Sequence, residues 1–548
     1  MTARELARRV LERIERDKAW ATPALDAELA RAGLDDRDRR LASELVYGVL
    51  RHRSRIDRAL AAHADLKKTP PRVVIALRVA AYQLMFLDRV PPYAIVDDAV
   101  AAARASGGQK LAGFANAVLR KIGAQKEPPF PPGRAGIEAE YSLPRWIANE
   151  LAAAIAAEAE VASGSATKTA SASVSGSASG SASAPVAGAT SASASASASE
   201  TASGSASASE TVSGSATATA TATGSATATA SGTASGSATA KASASASASA
   251  TATASTSGSA TESTPVPLSR AARRAATEMS PAALDQLAAR AAAFATSAPL
   301  VARANARRTT REAVRELLQT AGVTTHDVDI EPGTPQAFSI DNLGDPARSP
   351  SFTAGMWTVQ DPGAQLVAHL ARPRAGMKIL DACAGVGGKS THLAELADDK
   401  ALIDAADRSA TKLDLAAGTA QRLGITSLTR HVCDLTDPRA PLRTDYDLIV
   451  LDAPCSGLGV LRRHPDAKWR LVSEDVPRLA AVQRELLDAV VTRLAPTGSL
   501  IYSVCTFTRA EGPDQARAFA ERTGLRLVEE HRTWPPDADA FYLARFER

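Results

Sequence analysis

The chain has 548 residues, enough for two or three domains, and its net charge of +4 (63 Lys+Arg against 59 Asp+Glu) is too small to demand a nucleic-acid partner. It is 45% hydrophobic yet only 4% aromatic, and one segment explains the imbalance: residues 161–264 are nearly all Ala, Ser, Thr and Gly, with charges only at Lys168, Glu200, Glu210, Lys241 and Glu262. No apolar run reaches the roughly 18 residues of a membrane span, the first residues lack the apolar core of a secretion signal, and Cys383, Cys433, Cys455 and Cys505 contain no CxxC pair that would suit zinc, so a soluble, reduced, cytoplasmic protein without a metal is expected.

Residues 1–125 read as helices throughout. ARELARRVLERIER and DDRDRRLASELVYGVLRHRSRIDRAL carry apolar positions at helical spacing, the second after a capping Asp. PRVVIALRVAAYQLMFLD is the most apolar and is expected at the centre of a bundle. PPYAIVDDAVAAARAS opens on prolines suited to a helix start, and KLAGFANAVLRKIGA closes the set. Residues 1–160 hold 26 Lys+Arg against 21 Asp+Glu, a mildly basic balance compatible with RNA, although a solvated Arg-rich surface accounts for it equally simply.

The tract 161–264 offers no large side chain to bury, so ordering entropy predicts a disordered linker. Beyond it, residues 268–322 return to helical periodicity and end in TTREAVRELLQTAGV, with a Thr cap and a Gly stop. Arg303, Arg307, Arg308, Arg311 and Arg315 make this stretch a candidate phosphate-contacting surface or, equally, a solvated face.

From residue 357 short apolar runs alternate with amphipathic helices. MKILDAC, ALIDAAD, LTRHVCD, DLIVLDAPC and GSLIYSVCT are the strand candidates, with FYLARFE expected to close the sheet. That pattern predicts a doubly wound α/β domain, in which ligands bind beyond the C-terminal ends of the strands. The first strand leads into DACAGVGGKS, where Gly385, Gly387 and Gly388 permit a tight turn at a helix N-terminus. Such a turn alone serves nicotinamide, flavin and methyl-donor nucleotides alike. It lacks P-loop spacing, so Lys389 is not read as a triphosphate grip. Asp407 ends the second strand, where a carboxylate can take ribose hydroxyls, and Asp434 ends the third, near an adenine edge. Strand-end acids with this turn favour S-adenosylmethionine over a dinucleotide.

Two further motifs, DAPCSGLGVLRRHPDAKWR (452–470) and YSVCTFTRAEG (502–512), resemble the signatures of the Sun-type (Fmu) RNA cytosine-5 methyltransferases. DACAGVGGKS is similar to that family's donor turn and VQDPGAQLV to the motif before it. LASELVYGVLRHRSRID, RVAAYQLMFLDRVPPYAIVDDAV and GFANAVLRKI resemble the NusB-type RNA-binding domain fused to some of its members, YSLPRWIANEL the segment that follows, and APLVARANARRTTREAV the substrate-side subdomain. The resemblance implies an all-α NusB-like bundle with a connecting segment (1–160), the linker (161–264), a substrate-side subdomain (265–350) and a Rossmann-like α/β methyltransferase domain (351–548).

It also implies the activity: methyl transfer from S-adenosylmethionine to carbon 5 of a cytosine in small-subunit ribosomal RNA, by a monomer that needs no membrane. Carbon 5 is a weak nucleophile until a thiolate adds to carbon 6, and a Cys suits that covalent step. DNA cytosine methyltransferases use a Pro-Cys nucleophile, which would point to Cys455. The RNA family uses the later cysteine, which matches Cys505, with Cys455 assisting product release and Asp452 contacting the base. Cys383, Ala384, Gly385, Val386, Gly387, Gly388, Lys389, Asp407, Asp434 and Asp452 are then the donor-binding set. Arg462, Arg463, Lys468 and Arg470, a basic run with Trp469 in it, are expected on RNA. The chain departs from the family pattern where Gly385 and Val386 replace Ala and Pro, and where Val504 replaces Thr. A noncatalytic RNA-binding assembly factor that keeps the fold is the alternative reading.

Overall fold

The computed structural model describes residues 1–125, 127–174 and 279–548. The front of the chain is helical, as the periodicity predicts. In α1 (Ala3–Asp17) the Thr2 hydroxyl accepts from the Glu5 amide, and after α2 (Ala21–Ala32) the Asp35 carboxylate caps α3 (Asp36–Arg51) by accepting from Asp38 N at 2.7 Å. The expected single helix over this stretch breaks at His52, giving α4 (Arg53–Ala61). The central helix is α5 (Pro71–Phe86), buried at every residue from Val73 to Gln83. It approaches α3 closely because Gly48 has no side chain: a Cβ there would sit 2.1 Å from the Tyr82 ring. Arg78, buried on this helix, meets Asp57 in a fork of 2.7 and 2.9 Å and pairs with Glu15.

The two helices expected next are both present within α6 (Pro92–Gln125), separated by the non-helical Gly107 and Gly108. After α7 (Arg134–Glu140), α8 (Arg145–Val174) continues past residue 161, where the linker was expected to begin; Ala is the best helix former and extends it. The rest of that expectation, 175–264, lies outside the described residues. Among the described residues no helix is long and apolar enough to cross a membrane.

Behind the helices lie two sheets. The smaller has order β2-β3-β1-β4 and is antiparallel, built from β1 (Leu300–Ala304), β2 (Thr324–Asp327), β3 (Ala337–Asp341) and β4 (Trp357–Val359). This corrects the helical reading of 268–322, which holds for Pro281–Phe294 and Arg311–Thr320 but not for LVARA. That run is covered on both faces, so it lacks the polar alternation that marks a strand in sequence. Ala302 and Ala304 pack on Phe338 and Trp357, while Arg303 points the other way and is fully buried.

The larger sheet has order β10-β11-β9-β8-β5-β6-β7. Its parallel strands are β5 (Lys378–Ala382), β6 (Leu402–Asp407), β7 (Leu428–Val432), β8 (Tyr446–Asp452) and β9 (Leu494–Val504), all foreseen. The antiparallel edge is β10 (Arg526–Arg532), which the sequence reading missed; it leaves β11 (Tyr542–Glu547) one strand in rather than closing the sheet.

Arg303 is not on a phosphate-binding surface. It donates to Glu395 on the helix Gly388–Leu396 at 2.8 and 3.1 Å and to the Gly388 carbonyl at 3.1 Å, both side chains being excluded from solvent. The other four are engaged as well: Arg307 reaches the Gly424 carbonyl, Arg308 that of Ala354, and Arg311 and Arg315 lie against Asp327. Removing one partner of a fully buried pair strands the other charge. Arg303→Met should therefore lower unfolding free energy by about 3–5 kcal/mol, measured as a shift in the urea midpoint at unchanged slope.

Candidate active site

The site lies beyond the C-terminal ends of β5, β6, β7, β8 and β9, where such sheets place their ligands. After β5 the backbone turns sharply through Cys383 (φ +63°), Gly385 (φ +57°) and Gly387 (φ +80°) into the helix Gly388–Leu396. A left-handed Cys is unusual and marks a held conformation. Two amides hold it: Ala384 N donates to the Ala406 carbonyl at 2.9 Å, and Gly385 N to the Asp407 carboxylate at 3.0 Å. Gly387 is required sterically, because a Cβ would meet Ala416 at 2.7 Å. Beneath the turn, Ser390 donates to buried Asp381, whose carboxyl burial pushes up to about 7.

A cleft of about 620 Å³ opens between these strand ends. Of the expected donor-binding residues, Cys383, Gly385, Asp407, Asp434 and Asp452 line it, together with both motif cysteines. Ala384, Val386, Gly387, Gly388 and Lys389 do not. Ala384 packs on Ala405 and Leu413, Val386 is exposed, and the two glycines shape the backbone. The sequence reading missed Ser409, Lys412, Thr436 and Glu485 on the cleft wall. Asp407 also accepts from Ser409 N at 2.8 Å, and Asp434 from the Thr436 hydroxyl at 2.7 Å and from Arg408. The Thr436 hydrogen bonds foremost, then Arg408, hold the Asp434 carboxyl down at about 2.

Lys389 turns inward instead, to Asp452 at 2.5 Å. Burial works against its ammonium, but the Asp452 charge and hydrogen bond outweigh it and raise the pKa. Asp452 accepts a second bond, from Ser503 Oγ at 2.8 Å. The Cys455 and Cys505 sulfurs are 3.3 Å apart. That hydrogen bond, and then burial, push the Cys455 thiol up, while burial and the nearby Asp452 and Asp407 push Cys383 up to about 12. That direction favours the protonated form of the Cys383 thiol.

Two residues hold the cysteine loops together, and neither was foreseen. Glu511 is fully buried and accepts from Ser456 N at 2.7 Å, Ser456 Oγ at 2.6 Å and Thr508 Oγ1 at 2.9 Å. Gly459 donates its amide to the Cys505 carbonyl at 3.0 Å and accepts from Ala540 N; a Cβ there would lie 1.8 Å from the Ala540 oxygen. A buried acid six residues after Cys505 is visible in the sequence, but its partners across the sheet are not.

Residues 368–546 match the family model described as 16S rRNA methyltransferase RsmB/F, and residues 1–124 match the NusB family. The C-terminal part of the chain is thus similar to RsmB/F methyltransferases, and its front is a NusB domain. It is 27% identical over 542 residues to the probable ribosomal RNA small subunit methyltransferase B of Synechocystis sp., an alignment covering 97% of this chain and 90% of that protein. It is 39% identical over 239 residues to ribosomal RNA small subunit methyltransferase B of Vibrio cholerae, covering 42% of this chain and 53%, about half, of that relative. The crystal structure of PH0851 shares the fold, with a TM-score of 0.64 at 17% identity over 100% of this chain and 99% of that one.

The basic run expected on RNA serves the NusB domain instead. Lys468 Nζ donates to the carbonyls of Arg51 (2.6 Å) and Ser142 (3.0 Å), and Trp469 Nε1 to that of Leu50 (2.7 Å), at the C-terminal end of α3. Arg470 donates to the Lys18 carbonyl just past α1 and lies over the Trp20 ring, while Asp466 accepts from Ala21 N at the start of α2 (3.1 Å). Cations thus meet helix C-termini and a carboxylate meets an N-terminus, satisfying backbone groups that a helix leaves open. Arg462 is buried and donates to the Pro536 carbonyl, and Arg463 pairs with Asp361 and Asp539.

Glu511→Gln keeps the shape but replaces an acceptor by an amide that cannot receive both Ser456 bonds. It should lower kcat for methyl transfer about a hundredfold with KM nearly unchanged, read by steady-state kinetics; a rise in KM alone would assign Glu511 elsewhere. Burial, with Arg51 assisting, lowers the Lys468 pKa from 10.5 to about 7. Between those values the unfolded chain binds a proton that the folded one does not, so this group makes stability rise with pH across that window. Denaturation of the protein and of Lys468→Met from pH 7 to 10 should show that rise in the first and its loss in the second.

Proposed function

We propose that this chain transfers a methyl group from S-adenosylmethionine to carbon 5 of a cytosine in small-subunit ribosomal RNA, with Cys505 as nucleophile. The observation that carries the reading is the paired sulfurs of Cys455 and Cys505, 3.3 Å apart, in residues that line a cleft together with Asp452, the partner of Lys389. The names of the relatives, both small-subunit ribosomal RNA methyltransferases, supply the substrate class.

The cleft suits the donor. Asp407 and Asp434 offer carboxylates to ribose hydroxyls and a purine edge, and the turn at Cys383–Gly387 lets backbone approach closely. When bound, the donor supplies an electrophilic methyl on a cationic sulfur, which an acid-lined cleft favours. The target cytosine must leave its stack to enter. Cys505 Sγ adds to carbon 6 as ring nitrogen 3 takes up a proton from solvent, and Asp452 holds the base edge by accepting from that protonated nitrogen. Lys389, keeping its proton beside Asp452, fixes that carboxylate's orientation. The addition makes carbon 5 nucleophilic enough to take the methyl group. Loss of the carbon-5 proton then expels Cys505, a step that Cys455, in contact with its sulfur, is placed to assist.

Cys505→Ser should abolish methyl transfer to RNA, and Cys455→Ala should accumulate a covalent protein–RNA adduct visible as a retarded band on denaturing gels. Wild-type transfer by Cys505→Ser would remove the nucleophile assignment. RNA binding with no donor-dependent labelling of any cytosine, by bisulfite sequencing of treated ribosomal RNA, would favour the assembly-factor reading.

A further inference from the structure

The same thiol pair has a second chemistry. We propose that Cys455 and Cys505 are an oxidation site, closing to a reversible intramolecular disulfide when the protein meets a peroxide. Their sulfurs are 3.3 Å apart, and a disulfide bond is about 2.05 Å long, so closure requires a movement of about 1.2 Å. The loops that carry the two cysteines are tied to each other. Immediately beside the pair, the Ser456 and Thr506 hydroxyls are hydrogen-bonded at 3.0 Å, and the Gly459 amide holds the Cys505 carbonyl at 3.0 Å. Glu511 secures the Cys455 loop from below. Both residues line the cleft, which gives a small oxidant access to the pair.

The two positions are also unequal. Cys455 is held protonated by its neighbour and by burial. Thiolate is the form that reacts with peroxide, so Cys505 attacks first. Its sulfur bonds to one peroxide oxygen, the O–O bond breaks, and hydroxide leaves, giving a sulfenic acid at Cys505. The Cys455 sulfur then attacks the Cys505 sulfur and gives up its proton, and the S–O bond breaks to release water. Two thiols are oxidised by two electrons in total, and one peroxide is reduced to two waters. Without a partner, a sulfenic acid proceeds to sulfinic and sulfonic acids, which thiols do not reverse. Cys455 therefore acts as the resolving thiol that keeps the oxidation of Cys505 recoverable. Cys383 and Cys433 line the same cleft, but the Cys383 thiol stays protonated and is a poor reactant.

The disulfide itself does not depend on the catalytic reading; only its consequence for methylation rests on the proposed role of Cys505. The test is therefore read first by mass. The full-length protein is treated with hydrogen peroxide, alkylated, and digested without reductant. The expected result is loss of two hydrogen masses from the intact chain and a linked peptide pair containing Cys455 and Cys505, both reversed by dithiothreitol. Methyl transfer should fall to background with the mass change and return with it. Oxygen addition at Cys505 while Cys455 remains alkylatable would overturn the proposal, as would a crosslink through Cys383 or Cys433, or no change at all. In Cys455→Ser the oxidation of Cys505 should become resistant to dithiothreitol; oxidation as reversible as in the wild type would also overturn it. Disulfide formation in a protein without methyl transfer would sustain this site while removing the catalytic reading.

Discussion

The parallel pairing of β8 with β9 is the constraint on which the chemistry depends. Its register sets Asp452 opposite Ser503, so that the loops leaving both strands start side by side and carry Cys455 and Cys505 to within 3.3 Å. Fifty residues separate those cysteines in the chain, including the helix Asp475–Val491 that makes the crossover. The Asp452 carboxylate links the pair to the Gly-rich turn, because it takes Ser503 from β9 on one side and Lys389 from the turn's helix on the other. A shift of one residue in that register would turn Asp452 to the opposite face of the sheet and separate all three groups.

The loop after Cys455 extends this arrangement beyond the catalytic domain. Gly459 holds Cys505, Arg462 and Arg463 hold the segments around Pro536, Asp361 and Asp539, and residues 466–470 cap the open ends of α1, α2 and α3. One continuous stretch therefore connects the paired cysteine loops to the NusB domain. The front helices and the catalytic half form one compact unit, joined by these contacts as well as by the intervening chain. In this arrangement the NusB domain is a support for the loop that carries Cys455.

How legible each feature was in the sequence follows from how local its cause is. The five parallel strands and the Gly-rich turn were readable because apolar runs, strand-end acids and glycines report on neighbouring residues. LVARA was misread because a short strand covered on both faces carries no alternation, and β10 was missed because its half-exposed, charged sequence reads as surface. The departures at Gly385 and Val386 leave the turn tied to β6 through the Gly385 amide, with Val386 facing solvent. Val504 is fully buried at the end of β9, an apolar residue in an apolar place.

The low aromatic content of the chain belongs to one segment, and the rest determines by itself a helical front domain, an α/β methyltransferase domain and two cysteines in diagnostic surroundings. What the sequence could not decide was the use made of its charges. Arg303, Arg462, Arg463, Lys468 and Arg470 look like a nucleic-acid surface when read in line, because a row of cations carries no record of what it faces. The tertiary structure assigns them to a buried carboxylate, to acids of the catalytic domain and to the carbonyl ends of helices. The reason is physical: a buried charge is tolerated only where a partner of opposite sign or a set of open hydrogen-bond acceptors meets it, and those partners lie up to hundreds of residues away along the chain.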